Sequence, residues 1–424
     1  MSINSVTGKM WDLIVVGGGM TGTAAAVAAR RMGLDVLIVE KAGFLGGAAA
    51  TCLINPFMPC STTVDGKKLQ LSRGYFDELR DILSGTGGYD PQGGESIHEE
   101  YLKIAFDRWV TREGVQPLFH AALCGVERDG SAITAIKAAT VAGVITLKAR
   151  AFIDCTGNAD LAFQAGCPFR LGREDHLCQP MTLCFRIGNV DIPRFRENRS
   201  LMQQKYRELQ SQGKIKNPRE DVLVFDTLVD GVLHFNTTRI VRHDPTDPLD
   251  VTEAEIAARE QMLEMYNFLH ENVPGFENAQ LLYSAGEIGA RESRMIDGGY
   301  VLTEDDLKNC VRFDDSVAAG NYDIDIHNPE GSGTSHYYFP AGQWYTIPYR
   351  CLVPKNADNL LVAGRCISVT HAAQASIRIM PIVTTLGQAA GTAAAVAVKA
   401  GARMIDADVG AIQARLTQEG AFLG

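Results

Sequence analysis

The 424-residue sequence lacks several features that would assign it to a familiar class of protein. Its ten cysteines include no Cys-x-x-Cys pair, so the spacing typical of zinc sites is absent. It has no long run of Lys and Arg and carries a net charge of −10, which argues against nucleic acid as the main partner. We therefore expect no metal site and no nucleic-acid partner, and cysteines that are reduced and mostly buried.

Long hydrophobic runs are also missing. The first ten residues, MSINSVTGKM, are polar and lack an apolar signal core. The nearest approach to a membrane span is IMPIVTTLGQAAGTAAAVAV, residues 379–398, which is interrupted by Pro381, Gln388 and several threonines. Small residues at this density predict a helix packed within protein, with Gly387 and Gly391 serving close helix packing. We expect a cytoplasmic protein with no membrane partner.

Among the features that are present, glycine is the most informative. The chain has 42 glycines, and they cluster in turns beside apolar runs, which favours a backbone that comes close to a ligand. Hydrophobic residues make up 46% and charged residues 21% of the chain, as in ordinary globular proteins. The length suffices for two domains, or for one large domain with a second one inserted.

The segment WDLIVVGGGMTGTAAAVAARRMGLDVLIVEK, residues 11–41, predicts an adenine dinucleotide site. An apolar strand leads into Gly17-x-Gly19-x-x-Gly22, an alanine-rich helix follows, and a second strand ends in Glu40. The glycines allow a tight turn, close approach of a pyrophosphate and close helix packing. The helix N-terminus attracts phosphate, and the acid stands where ribose hydroxyls are bound. By these features alone the dinucleotide is either NAD or FAD.

Family resemblance favours FAD. KAGFLGGAAAT, residues 41–51, places a glycine pair shortly after Glu40 and resembles the FAD-binding two-dinucleotide-domain flavoproteins. GVQPLFHAALCGVERDG, residues 114–130, resembles their adenine-contacting strand, with Leu123 at the contact. Residues 132–150 resemble their β-meander, and AFIDCTGNADLA, residues 151–162, resembles the strand end that follows it. No second GxGxxG turn follows a strand, so we expect no separate NAD(P)H domain.

The C-terminal region carries the strongest resemblance. Residues 347–398, which include NLLVAGRCISVTHAAQASIRIMP, resemble the FAD-dependent oxidoreductase family that has relatives of the heterodisulfide reductase flavin subunit. ARESRMIDGGYVLTEDD, residues 290–306, resembles a signature of that family. The resemblance implies that the helix entered near residues 378–381 points its N-terminus at the flavin. The implied cofactor-binding residues are Gly17, Gly19, Met20, Thr21, Gly22, Glu40, Lys41, Gly46, Gly47, Ala48, Leu123, Thr156, Gly157, Gly364, Arg365, Arg378 and Ile379.

These segments predict an α/β fold. We expect a Rossmann-like FAD-binding domain with a parallel sheet and a β-meander, formed by residues 1–170 and 340–424. An α+β substrate domain, residues 171–339, would be inserted into it. Within the insert we predict strands near 181–187 and 222–235 and a helix over 253–272. Thr252 with Glu255 would form the capping box of that helix, and Thr303 would cap a further short helix.

Candidate catalytic residues lie in three segments: His336 in residues 335–350, His371 and Arg378 in residues 369–378, and Arg291 in the signature. Flavin chemistry needs an acid or base beside the reacting carbon and a cation for an oxyanion or carboxylate. His371 is the preferred acid or base. The alternatives are structural histidines and, for Arg291, Glu292 and Arg294, a structural ion-pair network. Arg378 could hold substrate or flavin.

The predicted function is hydride transfer between flavin N5 and a small organic metabolite, with oxidation of a C–OH or C–N bond preferred. Electrons would pass to oxygen or to a redox carrier, and a homo-oligomer is left open. Reduction of a C=C bond, as in fumarate-reductase-like proteins, is an alternative. A disulfide reductase using Cys52 and Cys60 is another, although seven residues separate these cysteines instead of the usual four. A non-catalytic flavin-binding subunit is the third.

Overall fold

The computed structural model describes residues 3–92 and 94–424. Its strands are β1 (Met10–Val16), β2 (Val36–Val39), β3 (Ser61–Val64), β4 (Lys67–Gln70), β5 (Gln116–Leu118), β6 (Ala122–Asp129), β7 (Ala132–Thr140), β8 (Gly143–Asp154), β9 (Phe169–Leu171), β10 (Phe185–Gly188), β11 (Val224–Asp226), β12 (Leu233–Phe235), β13 (Gln280–Ser284), β14 (Arg294–Ile296), β15 (Ser316–Gly320), β16 (Ile324–His327), β17 (Thr334–Tyr337), β18 (Tyr345–Pro348) and β19 (Leu360–Val362).

The helices are α1 (Asn4–Thr7), α2 (Met20–Arg31), α3 (Ala48–Thr51), α4 (Tyr75–Gly85), α5 (Glu99–Glu113), α6 (Asp160–Gln164), α7 (Ile192–Glu197), α8 (Arg199–Ser211), α9 (Pro248–Asn272), α10 (Glu304–Lys308), α11 (His371–Ile377), α12 (Met380–Ala400) and α13 (Val409–Gln418). Two short 3₁₀ helices cover Tyr349–Leu352 and Met404–Asp406.

The main sheet confirms the predicted Rossmann-like topology. Its strands run in the order β5-β2-β1-β8-β7-β6, and β19 also pairs with β8. β5, β2, β1, β8 and β19 are mutually parallel, whereas β6, β7 and the first half of β8 form the antiparallel meander. β8 is long enough to pair with β7 at its start and with β19 at its end. The C-terminal strand therefore returns to the dinucleotide sheet, as the resemblance implied.

The helix α12 packs against α2 through small residues. A Cβ added to Gly387 would lie 2.1 Å from the Thr21 carbonyl oxygen, and one added to Gly391 would lie 2.0 Å from that of Ala25. By length and composition α12 could cross a membrane, yet 89% of its most apolar stretch is buried inside the protein. These contacts confirm the prediction of close helix packing.

The inserted region contains a small antiparallel sheet of order β11-β12-β10-β13. The strand predicted near 181–187 begins only at Phe185, because Met181 and Thr182 form isolated bridges to Ile240 and Gly289. The strand predicted near 222–235 is in fact two short strands, β11 and β12, which pair with each other.

The predicted start of the long helix in the insert is wrong. α9 begins at Pro248, and its cap is Asp247, whose carboxylate accepts from the backbone N–H groups of Leu249 and Asp250. Thr252 lies inside the helix and donates to the Pro248 carbonyl. Proline at the first turn and an aspartate cap extend the helix beyond the predicted capping box. By contrast, Thr303 caps α10 as predicted, in a capping box with Asp306.

Apolar clusters lie on both faces of the main sheet, and the insert has one of its own. The cluster of the insert draws its buried residues from 185–279. Leu302, Leu307 and Val317, which also belong to the insert, instead join the large cluster that contains α2 and α12. The boundaries at residues 171 and 339 remain a prediction, since the later part of the insert packs into the main core.

Candidate functional site

The glycines of the first turn are required by the local geometry. Gly17 has a φ of +96°, and a Cβ there would lie 2.5 Å from the Cys155 carbonyl oxygen. A Cβ on Gly22 would lie 1.8 Å from the carbonyl oxygen of Gly17. The turn therefore brings the start of α2 against the ends of β1 and β8, the arrangement that holds a pyrophosphate in dinucleotide-binding folds.

The backbone N–H groups at the N-terminus of α2 are available to an anion. Its N-cap Gly19 is extended and supplies no side-chain hydrogen bond to the first turn. Gly46 bridges to Gly19, and Gly47 has a φ of +49°. A Cβ on Gly19 would make ordinary contact with the Gly47 Cα at 3.5 Å, so the turn packs against the glycine pair. The N–H groups at the start of α2, from Met20 and Thr21 onward, fit a phosphate there.

Glu40 lies at the predicted ribose position. It is buried, and its two carboxylate oxygens accept from the N–H groups of Gly18 at 2.6 Å and Ala42 at 2.8 Å. Each oxygen retains a lone pair for a ribose hydroxyl. Lys41 points elsewhere, since its ammonium group pairs with Glu287 at 2.9 Å and is largely exposed. Leu123 lies near the start of β6, opposite Ala138.

The ends of β8 and β19 meet next to the glycine turn. The row of residues that runs from Glu40 through the glycine turn, residues 156–157 and residues 364–365 to the start of α12 is called the trough below. Gly157 has a φ of +80°, and the Arg365 guanidinium covers its Cα while donating to the Asn158 amide oxygen at 2.8 Å. Arg365 Nε is buried without a hydrogen-bond partner among the described residues. Thr156 donates to the Asp154 carboxylate, and Gly364 lies against the Thr21 hydroxyl. The chain therefore brings the predicted residues 21, 156, 157, 364 and 365 together.

The N-terminus of α12 closes this row. Its N-cap Ile379 supplies no side-chain hydrogen bond, and Pro381 occupies the first turn. Arg378 Nε and His371 Nε2 are buried and lack partners among the residues described. Unpaired polar atoms of this kind are rare in folded proteins and indicate a bound group or solvent. The glycine turn before α2, the uncapped N-terminus of α12 and the unpaired atoms of Arg365, Arg378 and His371 fit an adenine dinucleotide that extends from Glu40 to α12.

His371 forms a dyad with Glu292. His371 is the first residue of α11, and its imidazole Nδ1 lies 2.8 Å from both carboxylate oxygens of Glu292. Glu292 is completely buried and also accepts from the Gln179 N–H group. Because the carboxylate can only accept, Nδ1 carries a proton, and Nε2 is left to exchange one. The structure thus places the preferred acid or base in an orientation suited to that role.

Arg378 belongs to a second cluster, on the β16–β17 hairpin side. Its Nη2 lies 3.2 Å from the Asp325 carboxylate. Asp325 is nearly buried and also lies 3.4 Å from His327 Nε2. Burial raises the pKa of Asp325, but the hydrogen bond from His327 and the positive charge of Arg378 outweigh it and hold that pKa well below its usual range. Asp325 is therefore ionised.

Arg291 lies in the same cluster but has no carboxylate partner in residues 3–92 and 94–424. Its Nη1 donates to the Pro180 carbonyl at 2.7 Å and to the Thr182 hydroxyl, and its Nη2 donates to the Asn236 amide at 3.2 Å. Burial and the positive charge of Arg378 lower the pKa of Arg291. An arginine held only by neutral acceptors can still bind an anion.

Two buried glutamines connect the dyad to this cluster. The Gln179 side-chain amide donates to the Gln374 side-chain oxygen, and the Gln179 amide oxygen accepts from the backbone N–H group of His327. Gln374, three residues after His371, donates to the Arg291 carbonyl at 2.8 Å. The dyad and the arginines therefore belong to one hydrogen-bonded network.

His336 lies at the exposed side of the cluster. Its Nδ1 is 2.6 Å from the Asp323 carboxylate, and its ring stacks on Tyr338. Asp323, Asp325 and His336 could in principle hold a metal ion, but Arg378 already occupies one oxygen of Asp325. The structure gives His336 a structural partner and brings it near Asp325, at 3.8 Å.

Sequence reasoning missed Asp325 and His327. The stretch Asp-Ile-Asp-Ile-His, residues 323–327, alternates polar and apolar residues, which is the pattern of a strand with one polar face. That signal could have placed Asp325 and His327 together. Nothing local could have connected them to Arg378, because the chain joins β16 and α11 only through tertiary packing.

The two cysteines considered for a dithiol relay have different surroundings. Cys52 lies by Ile288, and Cys60 lies by Ser72 and Asn321. Burial raises the pKa of both thiols, which disfavours the reactive thiolate. All ten cysteines are free and eight are buried, in agreement with the prediction from the sequence.

Comparison with known proteins places this geometry in context. A family model described as FAD dependent oxidoreductase matches residues 12–416. Beta-cyclopiazonate dehydrogenase from Aspergillus oryzae is 32% identical over 94 residues, which is 22% of this chain and 19% of that enzyme. The match thus spans about a fifth of the length of that curated relative.

Solved structures resemble the chain more distantly. An aromatic hydroxylase from angucycline biosynthesis is 14% identical, with a TM-score of 0.40, over 79% of this chain and 58% of that one. A geranylgeranyl bacteriochlorophyll reductase-like protein from Thermoplasma acidophilum is 12% identical, with a TM-score of 0.45, over 97% of this chain and 83% of that one.

Proposed function

The chain belongs to the FAD-dependent oxidoreductase family, and on this basis we propose that it oxidises a C–OH or C–N bond of a small organic metabolite. FAD is the cofactor, and when bound it supplies a two-electron acceptor for the hydride that leaves the substrate carbon. The observation that carries the proposal is the His371–Glu292 dyad, in which His371 Nε2 is buried and has no partner among the described residues.

The residues that would hold FAD follow the trough from Glu40 to α12. We assign the ribose to Glu40, the pyrophosphate to the glycine turn and the start of α2, and the middle of the cofactor to Gly364 and Arg365. The N-terminus of α12 would stabilise negative charge on the reduced flavin, because a helix N-terminus carries about half a positive charge. Lys41 has a smaller role in this proposal, since Glu287 already pairs with it.

His371 would act as the base of the oxidation. Its Nε2 would accept the proton of the hydroxyl or amino group while the adjacent carbon gives up a hydride, so that the substrate becomes a carbonyl compound or an imine. The residues assigned above would hold the FAD that supplies the two-electron acceptor for this hydride. Glu292 keeps Nδ1 protonated and stabilises the imidazolium that forms. Oxygen or a redox carrier would then reoxidise the enzyme.

A second candidate, reduction of a C=C bond, is favoured by one observation. Arg291 has a lowered pKa and lacks a carboxylate partner in the described part of the chain, so it could deliver a proton to a substrate carbon. In that reaction the dyad would orient the substrate, and loss of Arg291 would reduce turnover more than loss of His371.

The first test is the absorption spectrum of the purified protein, followed by anaerobic mixing with alcohols, amines and activated alkenes. Bleaching of the flavin bands by an alcohol or amine supports oxidation, and reoxidation of pre-reduced enzyme by alkenes alone supports reduction. With a compound that bleaches the flavin, we expect His371→Asn to lower kcat by about 10²–10⁴-fold.

The variant is interpretable only if it keeps its flavin. Glu292→Gln should show a smaller loss and a shifted pH profile, because the amide can accept from Nδ1 but cannot stabilise the imidazolium. His176→Asn, at an exposed position, serves as the control. Full turnover by His371→Asn at unchanged flavin content would reject the dyad as the acid or base.

A further inference from the structure

Four arginines surround the β16–β17 hairpin, and only three of them have acidic partners in the described residues. Arg219 pairs with Asp221 at 3.1 Å, Arg239 with Glu220 at 2.6 Å and Arg378 with Asp325 at 3.2 Å. Arg291 interacts electrostatically with the other three arginines and with Asp325. Arg291 therefore carries the one guanidinium charge of these four that has no carboxylate within ion-pair distance in the described residues.

His327 neither adds to this charge nor removes it. Its Nδ1 lies 2.9 Å from Arg239 Nη2, and its Nε2 faces Asp325. Because a guanidinium can only donate, Nδ1 is an acceptor, and the proton lies on Nε2 toward the carboxylate. The imidazole is therefore neutral.

A buried charge without a partner is costly unless a ligand completes it. The neutral acceptors around Arg291 position the guanidinium and leave its charge uncompensated. A planar, forked donor matches a carboxylate, which would accept two parallel hydrogen bonds. A carboxylate would bring one negative charge to Arg291, whereas a dianionic phosphate would bring two beside the ionised Asp325.

The chain also relates this position to the dyad. Arg291 and Glu292 are consecutive, and Gln374 of α11 holds the Arg291 carbonyl three residues after His371. The proposed carboxylate site and the dyad are therefore supplied by consecutive positions of one segment, which α11 holds through Gln374.

We infer that the substrate is a small hydroxy- or amino-monocarboxylic acid whose carboxylate is bound by Arg291. This inference rests on the proposed oxidation for the hydroxyl or amino group, but the carboxylate site stands on the Arg291 guanidinium, which has only neutral acceptors among the described residues.

The test measures binding to the FAD-loaded protein, by calorimetry and by the change in the visible flavin spectrum. The probes are propanoate and benzoate, with propanamide and benzamide as neutral analogues of the same shape. We expect saturable binding of the acids and at least about 10-fold weaker binding of the amides. Arg291→Met should weaken binding of the acids about 10–100-fold, and Arg291→Lys should retain part of it.

Arg207→Met, at an exposed position of α8, is the matched control and should bind the acids normally. Unchanged flavin content and melting temperature in the Arg291 variants show that they are folded. Equal affinity for acids and amides, or unaltered acid binding by Arg291→Met, would overturn the inference. Inorganic phosphate that binds more tightly than the acids through Arg291 would overturn it as well.

The outcomes also separate this inference from the proposed reaction. If acids bind through Arg291 but no hydroxy or amino acid bleaches the flavin, the carboxylate site stands and the oxidation is wrong. If a neutral alcohol is oxidised with full dependence on His371 while the acids do not bind, the oxidation stands and the carboxylate site is wrong.

Discussion

At the scale of single residues, His327 shows how a buried imidazole is kept neutral. It is almost completely buried between Arg239 and Asp325, with Arg291 and Arg378 nearby. Burial, followed by the positive charge of Arg291, lowers the pKa of His327 from 6.5 to about 3, although Asp325 opposes the shift. The folded protein consequently does not protonate this residue at pH values where the unfolded chain does.

That difference predicts a loss of stability in mild acid. Between pH 6.5 and about 3 the unfolded state binds one more proton at His327 than the folded state. The free energy of unfolding should therefore fall as pH falls, by at most about 1.4 kcal/mol per pH unit from this residue. His327→Gln cannot take up that proton, so its unfolding free energy should depend less steeply on pH.

Urea unfolding between about pH 7 and about pH 5 measures this slope. His176→Gln, at an exposed position, is the control and should retain the wild-type slope more closely. An identical pH dependence in wild type and His327→Gln would show that His327 titrates alike in both states.

At the scale of elements, helix ends decide where functional segments are positioned. α9 begins with Asp247 and Pro248, and the interior Glu255 is thereby free to accept from the Ile288 N–H group at 2.7 Å. This contact ties α9 to the segment that leads into Arg291. The residues mistaken for a cap thus contribute to the surroundings of the site.

Mutation of the observed cap, Asp247, and of the cap predicted from the sequence, Thr252, should have different effects on stability. Asp247→Ala should lower the free energy of unfolding by about 1 kcal/mol, because two backbone N–H groups lose their acceptor. Thr252→Ala should change it by less than about 0.5 kcal/mol, since its exposed hydroxyl only bonds back to the preceding turn. Chemical denaturation of the two variants side by side compares them, and a larger effect of Thr252→Ala would contradict the observed helix start.

At the scale of the whole molecule, the trough joins the two ends of the chain. α2 and α12 pack together, and β1 and β19 both pair with β8, so residues near 20 and near 365 face one another. A cofactor that spans this trough contacts both ends and binds only the folded protein. Its binding free energy therefore adds to the stability of the fold.

Removal of FAD should consequently lower the melting temperature. Free FAD at 100 times its Kd should stabilise the apoprotein by about 2.7 kcal/mol. FMN, which lacks the adenosine half, should stabilise it less at the same concentration because the glycine turn and Glu40 remain unused. Thermal unfolding of the apoprotein against increasing FAD and FMN measures both effects, and equal stabilisation by the two would contradict the assignment of the dinucleotide turn.

The sequence by itself determined the dinucleotide fold, because its evidence is local. The turn at Gly17, Gly19 and Gly22, the helix after it and Glu40 follow one another within 30 residues, and each obeys steric and hydrogen-bonding rules that act at short range. The small residues of α12 likewise predicted its packing, and the C-terminal resemblance predicted the return of β19. His371 was predicted because its segment leads into α12, the helix whose N-terminus the resemblance directs at the flavin.

Only the tertiary structure decided which partners these residues have. The pairing of His371 with Glu292 joins positions 79 residues apart, and the Arg378–Asp325 pair joins positions 53 residues apart. The unpaired charge of Arg291 is visible only when every acid around it has been placed. Long-range electrostatics depend on distances that no local pattern encodes, so the cofactor could be predicted from the sequence but the partners of His371, Arg291 and Arg378 could not.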